Sequence, residues 1–178
     1  MLDPIDGSTN ASLALPWFAT SICVVDRGAP VAAVVHDHAS GARFAATRGG
    51  GATRDGSPLA RREPVGLSDA IIAVNGVPGG HGGWAQFRCF GAAALDLCAV
   101  AEGRFDGYID FADDGHGPWD YLGGLLVCRE VGVEVLDARD RELVVLDPEV
   151  RRAPVAGPTG LVEELVGVRA ALTPGDRS

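Results

Sequence analysis

Between residues 91 and 103 the chain reads GAAALDLCAVAEG, a stretch that is polar only at Asp96 and Glu102 and ends in Gly103. A helix with apolar side chains nearly all round leaves no face for water, so a buried helix is expected here, with Gly103 as its C-terminal cap. Such a helix needs apolar partners around it. The chain can supply them, because 47% of its 178 residues are apolar and only 22% are charged, enough for a sizeable core.

Upstream, WFATSICVVD (17–26) and VAAVVHDH (31–38) read as strands joined by the turn DRGAP, and ASGA turns the chain into a third strand, RFAAT (43–47). The glycines of RGGGATRDGSPL then supply a loop. This first third is expected as an antiparallel meander with no helix of its own. AIIAVN (70–75) reads as a short buried strand and GVPGGHGGW as a loop. Downstream of the buried helix, RFDGYIDF, VEVLD, ELVVL and APVAG read as strands, with a helix over WDYLGGLLVCREVG. A last, amphipathic helix over GLVEELVGVRAAL places Leu161, Leu165, Val168 and Leu172 on one face. The expected organisation is an α+β, α/β layered unit: an antiparallel-sheet part over 1–75 and an α/β part over 76–178.

Charge narrows the partners. Fifteen basic against 24 acidic residues give −9, which argues against a phosphate-backbone binder. The basic clusters Arg61-Arg62 and Arg151-Arg152 are only pairs, read as solvated turns, so no nucleic-acid partner is expected. Cys23, Cys89, Cys98 and Cys128 lack CxxC spacing and lie in apolar surroundings, which suits buried reduced thiols and a cytoplasmic location. The apolar run from Ala11 to Val25 is preceded by Asp3 and Asp6, interrupted by Pro16 and stopped by Asp26 and Arg27, so neither a signal peptide nor a membrane span is expected.

The chemistry concentrates at the start, in MLDPIDGSTN. Pro4 biases Asp3 toward an extended backbone, and a bend through Gly7 can then aim the Asp3 and Asp6 carboxylates and the Ile5 carbonyl at one point. Hard cations such as Mg²⁺ take such oxygen donors. Ser8, Thr9 and Asn10 would offer N–H groups and hydroxyls at a helix start, where a phosphate sits readily. Read alone, the same residues are equally turn dipeptides with Asn10 as a cap. Asp120, which opens WDYLGG, is either an ordinary helix cap or a third carboxylate meeting the first two. Gly123 and Gly124 permit the close packing that a meeting would need.

These residues carry a resemblance. DPIDGSTN resembles the DPxDGTxN signature of the inositol monophosphatase family, WDYLGG is similar to its second signature WDxAAG, and RCFGAAALDLCAVAEGRFDGY resembles the segment between them. RGGGATRDGSPL also resembles the family's hairpin before the central strand. The resemblance implies an αβαβα phosphatase sandwich and a Mg²⁺-dependent phosphomonoesterase, usually a homodimer, using two or three ions on a small phosphorylated metabolite. Carried over residue by residue, Asp3 bridges two metals, the Ile5 carbonyl completes one, and Asp6 and Asp120 hold the second. Gly7, Ser8 and Thr9 supply phosphate contacts, and the Ser8 hydroxyl, where the family has threonine, orients the attacking water. Ala93 and Asp110 fall at positions that contact the alcohol part, with FADDGHGP longer than usual after Asp110.

Against that pattern the chain starts at Met1, directly before the first signature. The family's upstream glutamate segment, N-terminal helices and first strand have no counterpart, so a truncated phosphatase of impaired activity is expected, with apolar surface exposed on the meander. Another branch of the superfamily (bisphosphate nucleotidase, fructose bisphosphatase or histidinol phosphatase) shares both signatures, and a non-catalytic metal- or anion-binding remnant is the contrasting reading. Of the remaining features, His36 and His38 read as an exposed strand end and GGHGG as a flexible loop. Trp17 and Trp84 read as core or interface residues, and His116 as a loop residue or a substrate contact.

Overall fold

The computed structural model describes residues 1–60, 63–112 and 115–173. Arg61 and Arg62 lie outside the described residues. Strands β1 (Leu2–Asp6), β2 (Ala19–Asp26), β3 (Ala29–Asp37), β4 (Arg43–Thr47), β5 (Gly51–Arg54) and β6 (Ser57–Pro58) form one antiparallel sheet in sequence order. The meander expected from alternation is thus present. The glycine-rich stretch after Thr47 holds the β5–β6 hairpin, which the family likeness implies and the loop reading from its glycines alone does not. A helix, α1 (Ser8–Ser12), follows the first strand at the helix start read for Ser8, Thr9 and Asn10, and corrects the reading of a first third with no helix of its own. It is too short for any apolar period to announce it.

The second sheet runs β10 (Glu134–Asp137), β11 (Pro154–Gly157), β9 (Gly107–Asp110), β7 (Ile71–Asn75), β8 (Gln86–Arg88). Its β7–β8 and β7–β9 pairs are parallel and the rest antiparallel. β8 emerges from a segment with no strand pattern, all three of its residues being exposed. ELVVL, read as a strand, is not one: only Leu143 is buried, and its carbonyl accepts the Tyr121 hydroxyl at 2.8 Å instead of joining a ladder.

Helices α2 (Ala93–Ala101) and α3 (Pro118–Arg129) lie between the sheets, and α4 (Leu161–Leu172) covers the far side of the second sheet. Every residue of α2 is buried, as its all-round apolar sequence requires, and Gly103 takes φ 77° just beyond its end. Gly124 lets α3 approach α2 closely, since a Cβ there would lie 2.6 Å from Leu97 Cβ and 3.1 Å from the Ala94 carbonyl. Gly123 does the same against Ser21 and Val35 of the first sheet. One core joins the first sheet to α2 and α3, and a second, around Ile72, Trp84, Ile109 and Val162, lies under α4.

The layers therefore run sheet, helix pair, sheet, helix. On the outer face of the first sheet, Leu2, Ile22 and Val24 are exposed, the apolar surface expected on the meander. Cys23, Cys98 and Cys128 are buried but Cys89 is exposed, against the reading of four buried thiols. No helix among the described residues is long and apolar enough to cross a membrane.

Candidate active site

Asp3 and Asp6 are three apart, a spacing that regular pleating would send to opposite faces of a strand. The structure brings them to the same face with a bulge. Asp3 pairs with Ser21 and Asp6 with Ala19, so two residues, Pro4 and Ile5, oppose Thr20 alone. Ser21 and Ala19 face the core, and both carboxylates turn inward with them. The Thr20 hydroxyl donates to the Pro4 carbonyl at 2.8 Å and the Ile5 N–H donates to Asp3 Oδ1 at 3.0 Å, which fixes the bend. Gly7 then reverses the chain at φ 79°, where a Cβ would stand 2.9 Å from the Trp17 carbonyl and 3.0 Å from Ala92 Cβ.

Two helix N-termini complete the site. Asn10, buried in α1, donates to the carbonyls of Trp17 at 2.8 Å and Phe90 at 2.6 Å, tying α1 to the turn before α2. That turn delivers the Ala94 N–H to Asp6 Oδ2 at 2.7 Å. From α3, Asp120 accepts the Gly117 N–H on Oδ2 at 2.7 Å, its carboxylate capping the first turn. Asp120 is therefore both a cap and a member of the cluster: one carboxylate oxygen each from Asp3, Asp6 and Asp120 lie within 4.8 Å of one another.

Three carboxylates this close oppose their own ionisation. Burial pushes Asp3 up to about 6, with the Asp120 carboxyl adding to the shift. Asp6 is pushed up to about 7, first by burial, against the opposing Ala94 N–H, and further by the charges of Asp120 and Asp3. Deeper still, Asp96 of α2 accepts the Trp17 indole N–H at 3.0 Å and is raised by burial to about 8. The donor set is all oxygen and partly protonated for want of counter-charge, which is what a hard divalent cation would relieve.

Of the other residues read from the sequence, Ser8 and Thr9 are exposed in the first turn of α1, where N–H groups have no intrahelical acceptor. Ile5 is exposed and Ala93 is buried at the start of α2. Asp110 has no exposed surface; its Oδ1 accepts Asn75 Nδ2 and the Ala112 N–H, both at 2.8 Å. It faces His116: His116 Nε2 lies 3.5 Å from Asp110 Oδ2, and His116 Nδ1 lies 3.7 Å from Asp120 Oδ2. Arg169, nowhere suspected from sequence, is buried on α4 and donates from Nε to the Asp110 carbonyl at 2.5 Å. His36 lies half-buried in β3 and His38 is exposed beyond it. Trp84 is core, and Trp17 is half-buried.

Comparison with known proteins gives the family and the fold. A profile described as the inositol monophosphatase family matches residues 1–168. Nus factor SuhB of Escherichia coli K12 is 38% identical over 151 residues, covering 77% of this chain and 55% of the relative. Inositol-1-monophosphatase of Rhizobium meliloti is 38% identical over 153 residues, covering 78% and 56%. The chain thus spans a little over half the length of these curated relatives. Among solved structures, the extragenic suppressor protein SuhB of Bartonella henselae superposes with TM-score 0.84 at 30% identity, over 95% of this chain and 71% of that one. SaIMPase-II with inositol monophosphate bound gives 0.82 at 27% identity, over 93% and 66%.

Proposed function

Because the chain belongs to the inositol monophosphatase family, we propose that its acidic cluster is a Mg²⁺ site for hydrolysis of a small phosphomonoester. The observation that carries this reading is the meeting of Asp3, Asp6 and Asp120, from two elements more than a hundred residues apart in sequence, within 4.8 Å. Their oxygens suit Mg²⁺, which keeps open positions for water and phosphate. When bound, the ion would neutralise phosphate charge and favour a nucleophile at neutral pH.

In this reading Asp3, the Ile5 carbonyl, Asp6 and Asp120 hold the metal. The N–H groups at Gly7, Ser8 and Thr9 orient the phosphate, and the Ser8 hydroxyl orients the attacking water. Ala93 lines the alcohol side, and Asp110 acts there through what it holds in place. The described residues bring three carboxylates together, few for two or three ions, so turnover by these 178 residues alone is proposed to be weak. A cytoplasmic homodimer remains part of the proposal.

The alcohol is open among sugar, polyol and nucleotide phosphates. Solved structures of SaIMPase-II carry inositol monophosphate and 2'AMP, which supports a panel including both, together with fructose bisphosphate and histidinol phosphate. The non-catalytic reading rests on the small number of carboxylates that the described residues bring together. Phosphate release across that panel, with Mg²⁺ and then with chelator, tests the proposal. Mg²⁺-dependent release lost on Asp6→Asn is expected. Release indifferent to both chelator and Asp6→Asn would refute it, and metal binding without release from any ester would favour the non-catalytic reading.

A further inference from the structure

His116 lies just before α3, mostly buried, with its backbone bridged to Arg152: its N–H donates to the Arg152 carbonyl at 3.3 Å and its carbonyl accepts the Arg152 N–H at 2.9 Å. Its ring spans two groups of residues. On one side Nε2 meets the Tyr108 hydroxyl at 2.9 Å and Asn75 Nδ2 at 3.2 Å. Asn75 also donates to Asp110 Oδ1, which fixes its amide so that nitrogen, not oxygen, faces the imidazole. On the other side Nδ1 faces Asp120 Oδ2 at 3.7 Å.

Asn75 Nδ2, which can only donate, favours the neutral tautomer that carries its proton on Nδ1, and the Tyr108 hydroxyl is able to donate to Nε2 as well. Asp110 Oδ2, at 3.5 Å from Nε2, instead favours a proton there and with it the charged ring. In the charged form Nδ1 is protonated as well. In both states the ring therefore presents an N–H to the Asp120 oxygen already held by the Gly117 N–H, leaving the other carboxylate oxygen for a cation. Resting on the metal-site reading above, we propose that His116 is a positioning residue for Asp120, and that Tyr108, Asn75 and Asp110 hold its ring for that task. The buried Arg169, donating to the Asp110 and Ala112 carbonyls, anchors the start of the loop that delivers it. Outer partners of this kind typically change metal affinity ten- to a hundred-fold.

The test is Mg²⁺ titration by calorimetry into the parent chain and the variants His116→Ala, His116→Asn and Asp120→Asn, each checked for folding by circular dichroism. His116→Ala is expected to weaken Mg²⁺ binding about ten-fold. His116→Asn, whose amide can stand where Nδ1 stood, is expected to recover most of the loss. Binding by His116→Ala equal to the parent's, or no recovery by His116→Asn, would overturn the assignment. If Asp120→Asn weakens binding while His116→Ala does not, only this inference fails; if Asp120→Asn binds as the parent does, the metal-site reading fails and takes it along. Ring nitrogen shifts of His116 in the parent chain give a readout independent of any variant. A protonated Nδ1 that responds to Mg²⁺ supports the proposal, and a neutral ring protonated on Nε2 contradicts it.

Discussion

Gly7 shows how much one residue decides. Its positive φ and the nearness of the Trp17 carbonyl make any side chain costly twice over, so Gly7→Ala is expected to destabilise the fold by about 1–3 kcal/mol in urea denaturation. A loss below a few tenths would show that the turn adapts. Asp96 is the opposite case, a buried carboxyl that the fold tolerates by keeping it protonated at a pKa of about 8. Its Oδ2 has no hydrogen-bond partner in the structure, so ionisation is penalised. Asp96→Asn retains an acceptor for the Trp17 indole and removes that penalty. The variant is expected to be more stable than the parent at pH 8, by on the order of 1–3 kcal/mol, and to show no such gain at pH 4. Equal stability at pH 8 would place the Asp96 pKa near its ordinary value.

Among elements, the helix pair between the sheets depends on small residues where backbones meet. Gly124→Ala would push a methyl against Leu97 and the Ala94 carbonyl and is expected to cost about 1–3 kcal/mol. Gly167→Ala on the exposed side of α4, with nothing within 4 Å, is expected to stabilise by about 0.5–1 kcal/mol. Thermal melts of the two variants separate close packing from helix propensity; shifts of the same sign would contradict this account of α3. The same elements show what sequence could convey. α2 was legible because a helix apolar on every side can only be buried, and the meander because its turns and alternation agree. ELVVL misled because a short apolar run with two β-branched valines looks like a strand whether or not a neighbour exists to pair with it. β8 was hidden because its residues are exposed and only its parallel pairing with β7 defines it. The Asp3, Asp6 and Asp120 cluster was legible through two short signatures. His116 and Arg169 were not, because their partners come from distant segments and a single cation on an amphipathic helix ordinarily faces water.

For the whole molecule, the carboxylates couple stability, pH and metal. Asp3, Asp6 and Asp96 all have pKa values raised on folding, so the metal-free native state holds protons that the unfolded chain has released. Their combined effect is absent below about pH 4 and grows through the range up to about 8, so metal-free stability is expected to fall as pH rises across that window. Mg²⁺ requires Asp3 and Asp6 ionised, so its affinity should rise between about pH 6 and 7 with protons released on binding. Calorimetry in buffers of different ionisation enthalpy reads that release directly, and an affinity flat across this range would contradict the coupling.

The central claim is that Asp3, Asp6 and Asp120 form a divalent-cation site, and anomalous diffraction from a crystal soaked in Mn²⁺ tests it most directly. The account predicts a peak within coordination distance, about 2.0–2.3 Å, of oxygens from all three carboxylates. Strong Mn²⁺ peaks elsewhere with none at this cluster would contradict it.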